Sequence, residues 1–198
     1  MVKSFPETSL PDNLVWSALS SSQKLLLFLK FSRPRTEGRP KFALISTYRL
    51  HGPLDLSALY NALHGLWLAH SILRSGFHSG LMESSATGET PVLLERHQIS
   101  FKSGQTYQEA IADFLAVEQG RPFEIGGDTY IRATVGELTK CDHILCLSVH
   151  CIAADARALD LVMEELASRY QVAEGLTNNR GSRSHKSDAH ILPYEAER

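Results

Sequence analysis

The apolar residues of this chain follow two kinds of pattern, one with helical spacing and one typical of strands. Leucines recur at spacings of three and four after Asp55, which predicts an amphipathic helix over about residues 55–70. Similar spacing predicts helices over about 106–118 and 157–172. An apolar run after Ser22 predicts a first helix that is largely buried.

Between these helices lie short segments rich in apolar residues, and several of them are apolar on both faces. Such segments are typical of strands in a sheet that is covered on two sides. They occur at residues 41–50, 72–77, 91–95, 130–135 and 143–149. Because strands and helices alternate, we predict an α/β fold with roughly six strands and about four helices packed on the sheet.

The ends of the chain differ in composition from the part that carries these patterns. Residues 1–13 are polar and contain two prolines, which predicts a flexible, extended arm. The polar run from Thr177 to Asp188 has no apolar residue, and it predicts a flexible tail over 175–198. We therefore expect the folded domain to span residues 14–174.

Composition and charge exclude several classes of function. The chain has 198 residues, enough for one domain or for half of a larger enzyme. Its net charge of −2 supplies no basic field to hold nucleic acid. The apolar runs are too short to span a membrane, and the N-terminus has no signal-peptide core. A cytoplasmic protein is the expectation.

Three cysteines, Cys141, Cys146 and Cys151, lie close together in the second half of the chain. Their odd number does not suit a disulfide framework, and their spacing of five does not match a structural zinc site. Two histidines lie nearby, but we predict reduced, partly buried thiols and no metal site.

The stretch from Ser148 to Ala156 combines chemical groups with a position at the end of an apolar strand. Loops between a strand and a helix often present catalytic groups. His150 and Asp155 suggest acid–base chemistry, although a histidine at a strand end is more often structural. Asp155 also suits the N-cap of the following helix.

Several separate stretches together resemble one family, the condensation domains of nonribosomal peptide synthetases. Leu19 to Leu29 resembles the family's first signature, a Ser-x-x-Gln before an apolar helix, and Ala69 to Phe77 resembles the second. Arg121-Pro122-Phe123-Glu124 resembles the segment before the active-site strand. Ser148 to Ala156 stands where the family has His-His-x-x-x-Asp-Gly. The resemblance covers about residues 14–172.

The resemblance implies a fold and a reaction. The fold is that of a chloramphenicol acetyltransferase-like lobe with a mixed sheet, and two such lobes enclose a tunnel. The reaction joins a carrier-bound acyl thioester to an amine, giving an amide. The family uses no cofactor of its own, since its substrates are carried on the phosphopantetheine of carrier proteins. The expected partners are therefore carrier proteins, or a second lobe or chain that completes the domain.

The resemblance also assigns roles within the motif. His150 takes the position of the first, structural histidine, and Cys151 takes that of the second, catalytic histidine. Asp155 is expected to form a structural ion pair with Arg74 of the second signature. An ordinary thiol has a pKa of about 8.5 and cannot replace imidazole as a base near neutral pH. The resemblance therefore implies that catalysis is impaired.

The second lobe of the family is missing from this sequence. Three alternatives to an inactive half domain remain. The chain could be a non-catalytic recruitment module that binds a carrier protein. It could instead use Cys151 as an acyl nucleophile, although His150 and Cys151 are neighbours that point to opposite sides of an extended chain. A relative that uses coenzyme A would need a His-x-x-x-Asp core, and Cys151 occupies the histidine position.

Overall fold

A computed structural model of the chain describes residues 16–32, 42–78, 83–86, 93–123, 129–178 and 190–193. Within these ranges the order of elements is β1 (Trp16–Ala18), α1 (Ser21–Ser32), β2 (Ala43–His51), α2 (Leu56–Ala69), a 3₁₀ turn (Ser71–Arg74), β3 (Ser75–His78), β4 (Glu83–Ala86), β5 (Leu93–Gln98), α3 (Tyr107–Gly120), β6 (Ile131–Thr139), β7 (Asp142–His150), α4 (Ala156–Asn178) and β8 (His190–Pro193).

Five of these strands form the main sheet in the order β5-β6-β7-β2-β8. β5 runs parallel to β6 and the other pairs are antiparallel, so the sheet is mixed. The predicted α/β fold is confirmed, but the sheet has five strands where about six were expected. The predicted strand at 72–77 begins as the 3₁₀ turn and continues as β3, which lies in a separate three-stranded sheet.

Helices α2 and α4 pack together on one face of the main sheet. Asp55 begins α2, and its Oδ1 accepts hydrogen bonds from the backbone N–H groups of Ser57 (2.8 Å) and Ala58 (3.0 Å). The Tyr170 hydroxyl of α4 accepts a bond from the N–H of Asp55 (3.1 Å), which ties the two helices together. This face holds the largest apolar core, which includes Leu63, Leu66, Leu145, Leu147, Val149, Met163 and Leu166.

The opposite face of the sheet changes character along its length. At one end α3 packs on Ile144 and Ile99 in an apolar cluster. Because side chains alternate along a strand, Cys146, Ser148 and His150 share the face of Ile144. This face therefore becomes polar towards the end of β7, where the motif loop begins.

Helix α1 differs from its prediction as a largely buried helix. Leu27 is buried, whereas Leu25, Phe28 and Leu29 are 57%, 63% and 41% exposed. Among the residues that the structure describes, the helix packs against a small cluster that includes Tyr130 and Ile152. Its apolar sequence therefore reflects both a packed side and an open apolar side.

The predicted domain boundaries fall in or near segments that the structure does not describe. The arm at residues 1–13 lies outside the described residues. Helix α4 continues past 174 to Asn178, and β8 pairs with β2 within the predicted tail. The boundaries at 13 and 174 stay predictions. No helix in the described part of the chain is long and apolar enough to cross a membrane.

Candidate functional site

The motif loop joins β7 to α4 in a tight turn over residues 151–153. The N–H of Cys151 donates to the carbonyl of Phe42 (2.7 Å), and the N–H of Ala153 donates to the carbonyl of His150 (2.8 Å). The loop is thus held to the residue that precedes β2 and to the end of its own strand. The sequence-predicted residues His150, Cys151 and Asp155 all lie on this turn or at its ends.

His150 is completely buried. Its ring lies among Phe42, Tyr130 and Phe123, with centroid distances of 5.8, 5.6 and 6.0 Å. Its Nδ1 accepts a hydrogen bond from the N–H of Ile152 (3.0 Å). A neutral imidazole that accepts at Nδ1 carries its proton on Nε2. The ring therefore braces the turn from inside the protein.

Cys151 is half-buried and its thiol is free. Burial raises the pKa of the Cys151 thiol above its ordinary value. A thiol with a raised pKa is protonated at neutral pH, and only the thiolate is a strong nucleophile. The raised pKa therefore disfavours a role for this thiol as a base near neutral pH or as an activated nucleophile.

Asp155 is exposed and caps helix α4. Its Oδ1 accepts a hydrogen bond from the N–H of Ala158 (2.7 Å), and its carbonyl accepts from the N–H of Leu159 (3.0 Å). Arg74 lies at the end of the 3₁₀ turn and is half-buried. The geometry around Asp155 therefore identifies it as a capping residue, and its ion pair with Arg74 stays a prediction.

Gln23 reaches the motif loop from the start of α1. Its Nε2 donates to the carbonyl of Ile152 (3.1 Å), across 129 residues of sequence. The N–H of Gln23 also donates to Oγ of Ser20 (3.2 Å), and its Oε1 accepts from the N–H of Ser20 (2.9 Å). The Ser-x-x-Gln spacing indicates this capping box, but no local pattern indicates the bond to Ile152.

A charged cluster that the sequence did not reveal lies beside His150. The Arg132 guanidinium sits 4.6 Å from the centroid of Phe123, and the Phe123 ring forms a T-shaped pair with His150. Glu118 is 2% exposed and accepts a bond from Thr134 Oγ1 (2.9 Å), with Arg132 Nε 3.8 Å away. A buried carboxylate needs such partners, because an unpaired buried charge is costly.

Arg121 connects this cluster to the edge strand β5. Its two terminal nitrogens donate to the Glu95 carboxylate at 2.6 and 2.7 Å, and its Nη1 also contacts Glu118 at 3.0 Å. The guanidinium lowers the pKa of Glu95 from 4.5 to about 2, and Glu95 raises the pKa of Arg121 in turn. The Arg121-Pro122-Phe123 segment is thereby anchored by charge next to the aromatic contact with His150.

The remaining thiols and the histidines do not form a metal centre in the described part of the chain. There, no three or more His, Cys, Asp or Glu side chains are grouped to hold a metal ion. Cys141 is exposed and Cys146 is buried, and all three thiols are free. Burial raises the pKa of Cys146 to about 11.

Solved proteins with the same arrangement of strands and helices define the class of this fold. The SgcC5 protein from Streptomyces globisporus matches with a TM-score of 0.69 and 22% identity, over 80% of this chain and 37% of that one. The X-domain from teicoplanin biosynthesis matches with a TM-score of 0.68 and 26% identity, over 85% of this chain and 35% of that one. The first condensation domain of the CDA synthetase matches with a TM-score of 0.67 and 22% identity, over 81% of this chain and 41% of that one.

The particular family follows from the sequence. The pattern of the condensation domain matches residues 16–186, so the chain belongs to the condensation-domain family, as the signatures predicted. The nonribosomal peptide synthetase kk1B of Curvularia clavata is 32% identical over 126 residues, which is 62% of this chain and 1% of that protein. Tyrocidine synthase 2 of Brevibacillus parabrevis is 31% identical over 125 residues, which is 63% of this chain and 3% of that protein. The chain thus spans a small part of these synthetases and less than half of the solved proteins.

Proposed function

We propose that this chain is a condensation-type lobe of nonribosomal peptide or hybrid polyketide–peptide biosynthesis that does not form amide bonds by itself. Family membership over residues 16–186 supports the biosynthetic assignment. The chain matches between 35% and 41% of the length of three solved proteins. A complete domain of the family has two lobes with the tunnel between them, so this share supports a single lobe.

The side chain of Cys151 carries the proposal of inactivity. In the reaction that the family implies, an amine attacks a thioester carbonyl, a carbon–nitrogen bond forms and the carrier's thiol leaves. The amine must lose a proton in this step, and a group with a pKa near neutral is best suited to accept it. Burial raises the pKa of the Cys151 thiol, so this side chain is a poor proton acceptor there.

His150 does not compensate for the missing imidazole. The ring is completely buried among aromatic side chains, and its Nδ1 already accepts from Ile152. We therefore assign His150 a structural role, as the family motif implies for its first histidine.

The proposed partners are carrier proteins or a second lobe. Substrates would arrive on phosphopantetheine arms, and the lobe would need no cofactor of its own. The cytoplasmic location expected from the sequence stays a prediction.

Restoring the imidazole tests the proposal directly. The chain is combined with the C-terminal lobe of a related condensation domain and with donor-loaded and acceptor-loaded carrier proteins, and amide is measured by mass spectrometry. We expect product from the wild type and from the matched control Cys151→Asn to stay at the background of the assay, and product from Cys151→His to exceed that background at least tenfold. Product from the wild type that is well above the Cys151→Asn background and equal to that of Cys151→His would overturn the proposal.

A recruitment module is the second candidate, and one observation favours it. The X-domain of teicoplanin biosynthesis was solved in a complex with OxyB, and that X-domain has a TM-score of 0.66 and 24% identity with this chain. A lobe without a catalytic side chain could recruit a partner in a similar way. Calorimetry with carrier proteins and tailoring enzymes tests it: binding that Cys151→Ala leaves unchanged supports recruitment, and absence of binding to all of them excludes it.

A further inference from the structure

We propose that Gln23 is a positioning residue for the motif loop, and that its side-chain amide sets the geometry and the exposure of Cys151. The inference rests on the proposed function in one respect, that position 151 is the working position of the loop. The bond from Gln23 to Ile152 itself stands apart from any activity.

The amide of Gln23 is oriented by its own helix. Gln23 Oε1 accepts from the N–H of Ser20 at 2.9 Å, so the oxygen of the amide faces the start of α1. The nitrogen must then face the other way, because oxygen and nitrogen sit on opposite branches of the same planar group. That nitrogen donates to the carbonyl of Ile152 at 3.1 Å.

Ile152 is held on both sides of its backbone. Its N–H donates to Nδ1 of His150 (3.0 Å), and its carbonyl accepts from Gln23. Its side chain is 3% exposed and packs with Leu19 and Leu27. Cys151 comes directly before this residue, so the conformation of the turn at Cys151 depends on contacts that α1 supplies.

A glutamate at position 23 distinguishes the bond to the motif loop from the capping of α1. A glutamate at the third position of a helix completes a capping box as well as a glutamine does. Its negative charge also suits the N-terminus of a helix. A carboxylate, however, has no hydrogen to donate to the Ile152 carbonyl. Gln23→Glu therefore keeps the cap and removes the bond to the loop.

Three variants in a Cys141→Ser background test the inference, because Cys141 is the exposed thiol and Cys146 is buried. Gln23→Glu loses the bond to the loop. Gln23→Ala loses that bond and the half of the capping box in which Oε1 accepts from the Ser20 N–H. Ser20→Ala loses only the other half, in which the Ser20 hydroxyl accepts from the N–H of residue 23. The measurements are the rate of Cys151 alkylation by iodoacetamide, amide hydrogen exchange at residues 151–153, and the thermal midpoint.

Loss of one hydrogen bond of ordinary net strength should change the equilibrium constant for opening of the motif loop by about five- to tenfold. We expect Gln23→Glu and Gln23→Ala to raise the alkylation rate by that factor, and Ser20→Ala to stay within about twofold of the background protein even where its thermal midpoint falls.

The pH dependence of hydrogen exchange in Gln23→Glu distinguishes the bond to the loop from a purely structural role, which predicts no such dependence. A protonated carboxyl can donate a hydrogen bond, and the pKa of glutamate is about 4.3. The ratio of exchange rates between Gln23→Glu and the background protein should therefore fall towards one as the pH drops through about 4.

Two results would overturn the inference: an unchanged alkylation rate in Gln23→Glu, or equal increases in all three variants. Neither result bears on carrier binding or amide formation, which test the proposed function separately. A positive thiol result combined with absent carrier binding and absent amide formation would support Gln23 as a positioning residue and contradict the proposed function.

Discussion

Two adjacent residues, His150 and Cys151, have very different environments because a strand ends between them. His150 is the last residue of β7, and its ring is enclosed by three aromatic side chains. Cys151 begins the turn and is half-buried. The imidazole thus lies where it stabilises the turn, and the thiol lies at the position that we predict to correspond to the catalytic histidine of the family.

The chemistry of Cys151 leads to the first prediction. An acyl-pantetheine thioester incubated with the protein at pH 7 should leave Cys151 unacylated, because burial raises the pKa of its thiol. Intact-protein and peptide mass spectrometry measures the adducts, and the exposed Cys141 is the internal control. Acylation of Cys151 faster than that of Cys141 would contradict the prediction and support a nucleophilic cysteine.

His143 should make stability depend on pH. Burial is the main cause that lowers the pKa of His143, against the raising effect of Glu137 and Asp142. The unfolded chain therefore binds this proton more readily than the folded protein, and stability should fall as the pH drops below about 6.5. Urea unfolding at pH 7.5, 6.5 and 5.5 measures the free energy of unfolding. His143→Gln should lose less of this free energy between pH 7.5 and 5.5 than the wild type does. An equal loss in both proteins would assign the pH dependence to other groups.

At the scale of elements, local signals predicted most helices and strands well. The helix predicted over 106–118 is α3, which starts with a capping box between Thr106 and Glu109. The helix predicted over 55–70 is α2, and the strand predicted over 143–149 is the central strand β7. These elements agree because caps and periodicity act over a few residues.

The packing of α3 on the sheet depends on Gly136. A Cβ at Gly136 would lie 2.7 Å from Cδ1 of Ile99 and 3.0 Å from the ring of Phe114. Gly136→Ala should therefore lower the free energy of unfolding by about 1–3 kcal/mol through overpacking. Gly120→Ala, where nothing lies within 4 Å, is the matched control and should be neutral or stabilise by up to about 1 kcal/mol. Equal urea midpoints for the two variants would contradict the close contact of Gly136 with Ile99 and Phe114.

At the scale of the whole molecule, the Glu95–Arg121 pair fastens the end of α3 to the edge strand β5. Glu95→Gln should cost about 1–2 kcal/mol at pH 7, because the pair is bidentate and partly buried. The carboxyl has its pKa lowered from 4.5 to about 2, so the contribution is present above pH 5 and is lost as the pH falls towards 2.

Urea unfolding of wild type and Glu95→Gln at pH 7, 5 and 3 measures this dependence. The difference between the two should shrink from pH 5 to pH 3. Asp113→Asn, in the fully exposed pair with Lys102, is the control and should have a smaller effect. A constant difference across the range would mean that Glu95 stabilises the protein by packing and not by charge.

By itself, the sequence determined the α/β class, the main helices and the family, because these depend on periodicity, caps and short signatures, and the altered motif stays a prediction. The tertiary structure decided the rest. It placed β3 in a separate sheet, paired β8 with β2, left one side of α1 exposed and buried Glu118 against Thr134. It also brought Gln23 to Ile152, across 129 residues. Such contacts join residues that are far apart in the chain, so no local pattern specifies them. They form only when the packed sheet and helices bring the two groups within hydrogen-bonding distance.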